Sequence, residues 1–145
     1  MLDIITLADA VAAEINTGSF SVPVTAVRML LPEFELGDLA DLKVIVVPAR
    51  IQTTGLTRQA MRHEVDIEIG VQKKLSGQVD TELPQWMDLV EAIDTFLRKR
   101  TLAGAVDAAW LKSAIEPLYA REHVAQSRVF TSIITVTYLL IGDNT

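Results

Sequence analysis

The clearest pattern in the chain is a strict alternation of apolar and polar residues over positions 65–72. One side of the alternation consists of β-branched residues: Val65, Ile67, Ile69 and Val71. The other side consists of Asp66, Glu68, Gly70 and Gln72. Because successive side chains of a strand point to opposite faces, the pattern predicts a half-buried strand.

Four further segments predict strands, since they are rich in β-branched and aromatic residues. They are residues 24–31, 44–47, 110–119 and 129–141. The first two end before Pro32 and Pro48, and a proline removes a donor from the strand ladder. Pro117 lies inside the third segment, which is therefore predicted to be an edge strand.

A first helix is predicted over residues 4–15, where apolar residues recur at helical spacing. Thr6 and Asp9 form a capping-box-like start, and the polar residues 16–18 supply a stop.

A second helix is predicted from the long apolar stripe between Trp86 and Leu97. Asp80 or Thr81 can cap its start. Pro84 then falls near the first turn, where its missing N–H does no harm.

The predicted order of elements is α-β-β-β-α-β-β. The chain has 145 residues, 50% of them hydrophobic, which is enough material for one self-sufficient core. Strands and two amphipathic helices in this order predict a single α+β domain over residues 1–145, in which the two helices pack on a mixed or antiparallel sheet.

The last predicted strand is long for a domain of this size. Residues 129–141 would span about 43 Å at roughly 3.3 Å per residue, whereas the radius of gyration should be about 15 Å. The strand must therefore bend, carry a bulge or project. Apolar residues occur on both of its faces, so it is either a central strand with helices on each side or a strand that partly pairs with another subunit.

Residues 49–64, between the second and third predicted strands, form either a loop or an extended two-stranded arm. The segment is net positive in an acidic protein and contains the apolar residues Leu56 and Met61 in polar surroundings. Long loops on small domains are often functional, so we expect a contact with a neighbouring subunit, the alternative being a flexible surface loop. The candidate contact residues are Arg50, Thr53, Thr54, Leu56, Arg58, Met61, Arg62 and His63.

The connection over residues 33–41 is acidic and contains no base. Its carboxylates are Glu33, Glu35, Asp38 and Asp41. The cationic arm of a neighbouring copy could reach this acidic connection in a heterologous contact, which closes into a ring when the rotation permits.

Composition excludes several classes of function. The net charge of −6 disfavours general binding to nucleic acid. The absence of cysteine rules out disulfides and thiolate chemistry. No segment has the basic start of a secretory signal or the roughly 18 to 20 apolar residues that span a bilayer, so the sequence predicts a soluble protein made in a cytoplasm.

Candidate chemistry is sparse. The two histidines, His63 and His123, lack the spacing of metal ligands, and no GxGxxG, GxxxxGKS/T, GxSxG or HExxH motif occurs. We therefore predict no catalytic residue, no metal and no cofactor. The remaining enzymatic alternative is a small cytoplasmic enzyme that would use His63, Asp66 and Glu68.

The pattern along nearly the whole chain resembles the tail terminator, or tail-completion, proteins of long-tailed bacteriophages and prophages. The resemblance rests on residues 2–15 (LDIITLADAVAAEI), 34–39, 42–48 (LKVIVVP), 65–74 (VDIEIGVQKK), 89–98 and 130–139. These are structural patterns and not a catalytic signature.

The resemblance implies a structural virion protein in the tail or neck, assembled in the bacterial host cytoplasm. Such a protein forms a homo-oligomeric ring, commonly a hexamer, that caps the tail tube and docks the head-completion proteins. By the same analogy the arm would contact the tube or a neighbour, and the acidic residues would face the lumen through which DNA passes. The alternatives are another neck or minor tail component, and a monomeric adaptor.

Overall fold

The computed structural model describes residues 3–32, 34 and 36–143. The described residues form three α-helices, one 3₁₀ helix and five strands. In chain order these are α1 (Ile4–Ile15), β1 (Ala26–Arg28), the 3₁₀ helix (Leu36–Ala40), β2 (Lys43–Gly55), β3 (Ala60–Lys74), α2 (Val79–Leu97), β4 (Ala109–Ile115), α3 (Arg121–Ser127) and β5 (Val129–Asp143). The predicted α+β class is confirmed, with α3 and the 3₁₀ helix as additions.

The five strands form one mixed sheet in the order β1-β2-β3-β5-β4. β1 runs parallel to β2, and the other neighbouring pairs are antiparallel. β4 lies at an edge, as Pro117 predicts, although the strand ends at Ile115, before the proline. β5 lies between β3 and β4 and is therefore an interior strand.

The core lies on the face of the sheet that carries Val65, Ile67, Ile69 and Val71, here called the helix face. Apolar side chains of α1 and α2 pack in the same cluster, and the two helices contact each other. The two predicted helices therefore cover one face of β5, whereas one of the two alternatives given for this strand placed helices on each side. The opposite face, which carries Asp66, Glu68, Gly70 and Gln72, is here called the open face.

The start of α1 differs from the predicted capping box. Asp3 is the N-cap, and its Oδ1 accepts hydrogen bonds from the backbone N–H groups of Ile5 at 3.0 Å and Thr6 at 3.2 Å. The Thr6 hydroxyl donates to Asp3 Oδ2 at 2.7 Å. Asp3 is the cap because its carboxylate, one turn earlier, reaches the free N–H groups of the helix better than Thr6 does. Thr6 only supports this cap through its hydroxyl.

α2 begins at Val79 after Gln78, earlier than Asp80 or Thr81 would place it. No side chain caps the start of α2; the Glu82 Oε2 instead accepts from the backbone N–H groups of Ser76 and Gly77 in the preceding turn. Those contacts tie the helix to the end of β3.

β1 is shorter than the predicted strand over residues 24–31. Asn16, just after α1, occupies its outer edge: the Asn16 amide accepts from Ala26 N at 2.7 Å and donates to Ala26 O at 3.1 Å. A side chain therefore satisfies the backbone groups at which another strand would pair.

Glu14 fastens the chain after α2 to α1. The Glu14 side chain is buried; its Oε2 accepts from Arg100 Nε at 2.6 Å and its Oε1 from Ala103 N at 3.1 Å. Chiefly because of the Arg100 hydrogen bond, the pKa of Glu14 lies below its ordinary value. The contact positions the buried Leu102 against the core.

Ile69→Ala should lower the free energy of unfolding by about 2–5 kcal/mol, because it opens a cavity under both helices. The matched control is Ile51→Ala on the exposed part of β2, where we expect a change of about 0.5 kcal/mol or less. Urea unfolding followed by circular dichroism measures both. Equal losses would contradict the assignment of the core.

Glu14→Gln should cost about 1–2 kcal/mol at pH 7, a figure reduced because Arg100 is partly exposed. The folded-state pKa of Glu14 is depressed, so its contribution is complete above the unfolded value of 4.5 and is lost as the pH falls through the folded pKa. The difference between wild type and variant should therefore shrink in urea titrations at pH 3. The exposed Glu91→Gln is the control and should change the free energy of unfolding by about 0.5 kcal/mol or less at pH 7. A Glu14→Gln difference that stays constant with pH would refute the ion-pair account.

Candidate functional site

Three strands continue past the core and form a projecting arm. The arm consists of residues 49–64, from β2 and β3, together with residues 139–143 of β5. β1 pairs with β2 only up to Val46, and β4 pairs with β5 only up to Leu139. Of the two forms predicted for residues 49–64, the extended hairpin is the one observed, and β5 adds a third strand that the sequence did not reveal.

The core ends where the arm begins. Val65 and Tyr138 pair across β3 and β5, and both side chains are fully buried. Burial, with the nearby Glu14 carboxylate, raises the pKa of the Tyr138 hydroxyl, which therefore stays neutral. Ile51, the next residue in the same row, is 44% exposed.

A polar network on the open face holds the base of the arm. β2 has an irregularity between Pro48 and Arg50, after which Arg50 Nε lies 3.2 Å from Asp66 Oδ2. Thr137 donates its hydroxyl to Asp66 Oδ1 at 2.7 Å. One carboxylate thus connects β2, β3 and β5 at the point where the strands leave the core.

The tip of the arm is a tight turn over residues 56–59. The backbone N–H groups of Leu56 and Thr57 both donate to Ala60 O, at 3.0 and 3.2 Å. The Thr57 hydroxyl oxygen accepts from Gln59 N and Ala60 N. These bonds give the tip a defined shape and present Leu56, which is 50% exposed, to solvent.

The predicted arm residues fall on different sides of the arm. Thr53 and His63 face each other on the helix-face side, with 2.9 Å between Thr53 Oγ1 and His63 Nδ1. On the open-face side Arg62 Nη2 lies 3.3 Å from Glu64 Oε1. The remaining members of the predicted set are Arg50 at the base, Thr54 and Met61 near the end of the hairpin, and Leu56 and Arg58 in the tip.

Two exposed apolar residues of the arm were not among the predicted contact residues. Ile51 lies on β2, and Ile141, which is 58% exposed, lies on β5. The excess length of the last strand was the available signal for Ile141, because a strand too long for the core must place its end outside it.

Of the predicted acidic residues, Glu33 and Glu35 lie outside the described residues. Asp38 lies in the 3₁₀ helix and Asp41 just after it, and both are exposed. The 3₁₀ helix contacts β3 and buries Leu39.

A groove of about 390 Å³ lies on the open face beside the 3₁₀ helix. It is more apolar than the rest of that face. Its lining residues are Pro32, Phe34, Leu39, Ile45, Val47, Glu68, Gly70, Gln72, Thr131 and Ile133.

The residues of the enzymatic alternative do not converge. His63 lies on the helix-face side of the arm, whereas Asp66 and Glu68 lie on the open face, and Asp66 is engaged by Arg50 and Thr137. Within residues 3–32, 34 and 36–143, no three His, Asp or Glu side chains are grouped so that they could hold a metal ion.

No helix in the described part of the chain is long and apolar enough to cross a membrane.

No family model matches the chain, and no curated protein matches it. Among solved structures, the chain is similar to the sheath/tube terminator of PVC, an extracellular contractile injection system, in its extended state. The sequence identity is 14% and the TM-score is 0.45. The similarity covers 99% of this chain and 59% of the terminator chain, so this chain spans less than two thirds of that protein's length.

Asp66→Ala should loosen the arm at its base, because it leaves the buried Thr137 hydroxyl without its acceptor and removes the partner of Arg50. We expect a loss of about 1–3 kcal/mol and faster amide hydrogen exchange in residues 50–55 and 60–64. Glu64→Ala, which removes only the half-buried pair with Arg62, is the control and should leave exchange at the base unchanged. Equal exchange in the two variants would contradict the role given to Asp66.

Proposed function

We propose that the chain is a tail terminator, a structural protein that forms a ring at the head-proximal end of a phage-type tail. The ring would stop growth of the tail tube and provide the docking surface for head-completion, or neck, proteins. The observation that carries the proposal is the three-stranded arm, which extends from the domain and exposes apolar residues along its length.

The arm contributes little to the core of its own chain. Fixing the backbone of a residue costs about 1–2 kcal/mol, and the burial of apolar side chains normally offsets that cost. Residues 49–59 are exposed throughout. In a single copy, therefore, little apolar burial offsets the entropy cost of ordering this part of the arm. Burial of Ile51, Leu56 and Ile141 against another chain would supply the missing compensation.

The arm also has two free edges in the described structure. β2 has no strand on its outer side beyond Val46, and β5 has none beyond Leu139. Unpaired edges invite pairing with another chain, and natural proteins cover or use them. An arm with free edges and exposed apolar residues is therefore well suited to assembly.

The contact expected from such an arm is heterologous, since the arm of one copy meets a different surface of the next. Heterologous contacts generate rings when the rotation between copies closes. The proposed partners are other copies of this chain, in a ring that the resemblance makes hexameric, the tail-tube protein and the neck protein. DNA would pass through the lumen without specific binding.

The proposed localisation is the tail or neck of the particle, after assembly in the host cytoplasm. The acidic residues Asp38 and Asp41 are proposed for the lumen, where they would repel DNA phosphates, or for the interface between copies.

The test is to mix the purified protein with the tail-tube protein encoded in the same genome. We expect rings in native mass spectrometry and a density cap at one end of the tubes in negative-stain images. The variant that combines Leu56→Asp and Ile141→Asp should lower the association constant by about tenfold or more, because each buried apolar side chain contributes about 1.5–3 kcal/mol.

Val106→Asp is the matched control, since Val106 is 67% exposed and lies in the loop before β4. It should leave ring formation and tube capping unchanged. A protein that stays monomeric both alone and with tubes, and leaves tube length unaltered, would refute the proposed function.

A further inference from the structure

The groove on the open face is a partly covered apolar surface, because Ile45 and Leu39 in its lining are buried whereas Val47 and Ile133 are only half-buried. Ile45, Val47 and Ile133 form its floor, and Leu39 of the 3₁₀ helix forms part of one wall. Leu30 and Leu31 precede Pro32 at the rim and are strongly exposed. An apolar groove on a face that is otherwise polar indicates a surface that is covered in the assembled state.

Gly70 makes the groove possible. It lies in the interior of β3, between β2 and β5, where glycine weakens a strand and often marks a close approach by another backbone. A Cβ at this position would lie 3.1 Å from Ile45 Cγ1 and 3.3 Å from Ile45 Cδ1. The absence of a side chain thus gives Ile45 the space over Gly70, where its side chain forms part of the groove floor.

The arm of the same chain cannot fill this groove. Gly70 and the arm tip are joined by β3, and the ten residue steps from Ala60 to Gly70 span about 33 Å of continuous strand at roughly 3.3 Å per residue. The ladder with β5 is unbroken over that length, so the arm cannot fold back. An occupant with the shape of the arm tip must come from another copy.

The charges of the arm and of the groove rim favour the arm tip of another copy as the occupant of the groove. The arm segment 49–64 contains Arg50, Arg58 and Arg62 against Glu64; Arg50 and Arg62 pair with Asp66 and Glu64 of the same chain, and three bases against two acids leave residues 49–66 with a net charge of +1. Glu68 lines the groove, and Asp38 and Asp41 lie at the adjoining 3₁₀ helix. Lys43 is a basic residue at this rim, and its Nζ lies 5.9 Å from the centre of the Phe34 ring. The three carboxylates outnumber this one cation.

We infer that the groove receives the arm tip of a second copy, with Leu56 packed against Val47 and Ile133 and the basic arm beside the acidic 3₁₀ helix. Each copy then has one tip and one groove, which makes the contact head-to-tail. The inference rests on the proposed function and deepens it, because it names the surface through which the ring closes. It also assigns Asp38 and Asp41 to the interface and not to the lumen.

Cross-linking can test the contact with little background, because the chain contains no cysteine. Two single variants are made, Leu56→Cys in the tip and Val47→Cys in the groove, one of them carrying a size tag. Each is treated with a short bis-maleimide alone and after mixing, in the presence and absence of tail tubes. The mixture should give a tagged–untagged dimer in roughly tenfold higher yield than the mixture of Leu56→Cys with Val106→Cys, which lies outside the groove.

Adding Asp38→Lys and Asp41→Lys to the Val47→Cys variant should reduce that yield severalfold at low salt, and the reduction should fade at 0.5 M salt as the charges are screened. Circular dichroism confirms that each variant is folded.

The outcomes separate the two proposals. Rings in native mass spectrometry without cross-linking between positions 56 and 47 above the Val106 control overturn the tip-in-groove contact and leave the proposed function standing. A chain that is monomeric with and without tubes overturns both. Cross-linking between positions 56 and 47 in rings supports both.

Discussion

The structure depends on the pairing of β3 with β5, a single antiparallel ladder from Lys74↔Val129 to Ala60↔Asp143. One end of the ladder lies under α1 and α2, and the other end forms the middle and one edge of the arm. Because the register is continuous, the packing of the core determines where the arm points. A slip of one residue would move the whole apolar row to the open face, so burial of that row holds both ends in place.

The two faces of this ladder have different roles. The helix face is used for folding, since its apolar residues are covered by α1 and α2. The open face keeps the polar network of Asp66 and the groove over Gly70. The tip directly precedes β3 and Gly70 lies within it, so the strand sets the distance between tip and groove. The proposed ring would require such a fixed distance and direction between two contact surfaces of its subunit.

The base of the arm explains how a thin extension can have a defined direction. Asp66 accepts from Thr137 and pairs with Arg50, and so connects all three strands where the core ends. Asp66 was a candidate catalytic group in the enzymatic alternative, but in the structure its carboxylate holds the three strands together. An arm that is ordered before binding loses less conformational freedom on assembly, which favours association.

The sequence by itself determined the elements whose signals are local. The alternation over 65–72 and the helical spacing over 4–15 identify β3 and α1, because each depends on neighbours within a few residues. The exposed arm and its basic residues were also visible, since length and charge are local properties. Only the tertiary structure decided three other features, namely the third strand of the arm, the shared face of the two helices and the groove over Gly70. These features depend on pairing between residues about seventy positions apart, as for Asp66 and Thr137. In addition, β5 is apolar on both faces, so the pattern of β5 could not indicate which face the helices cover.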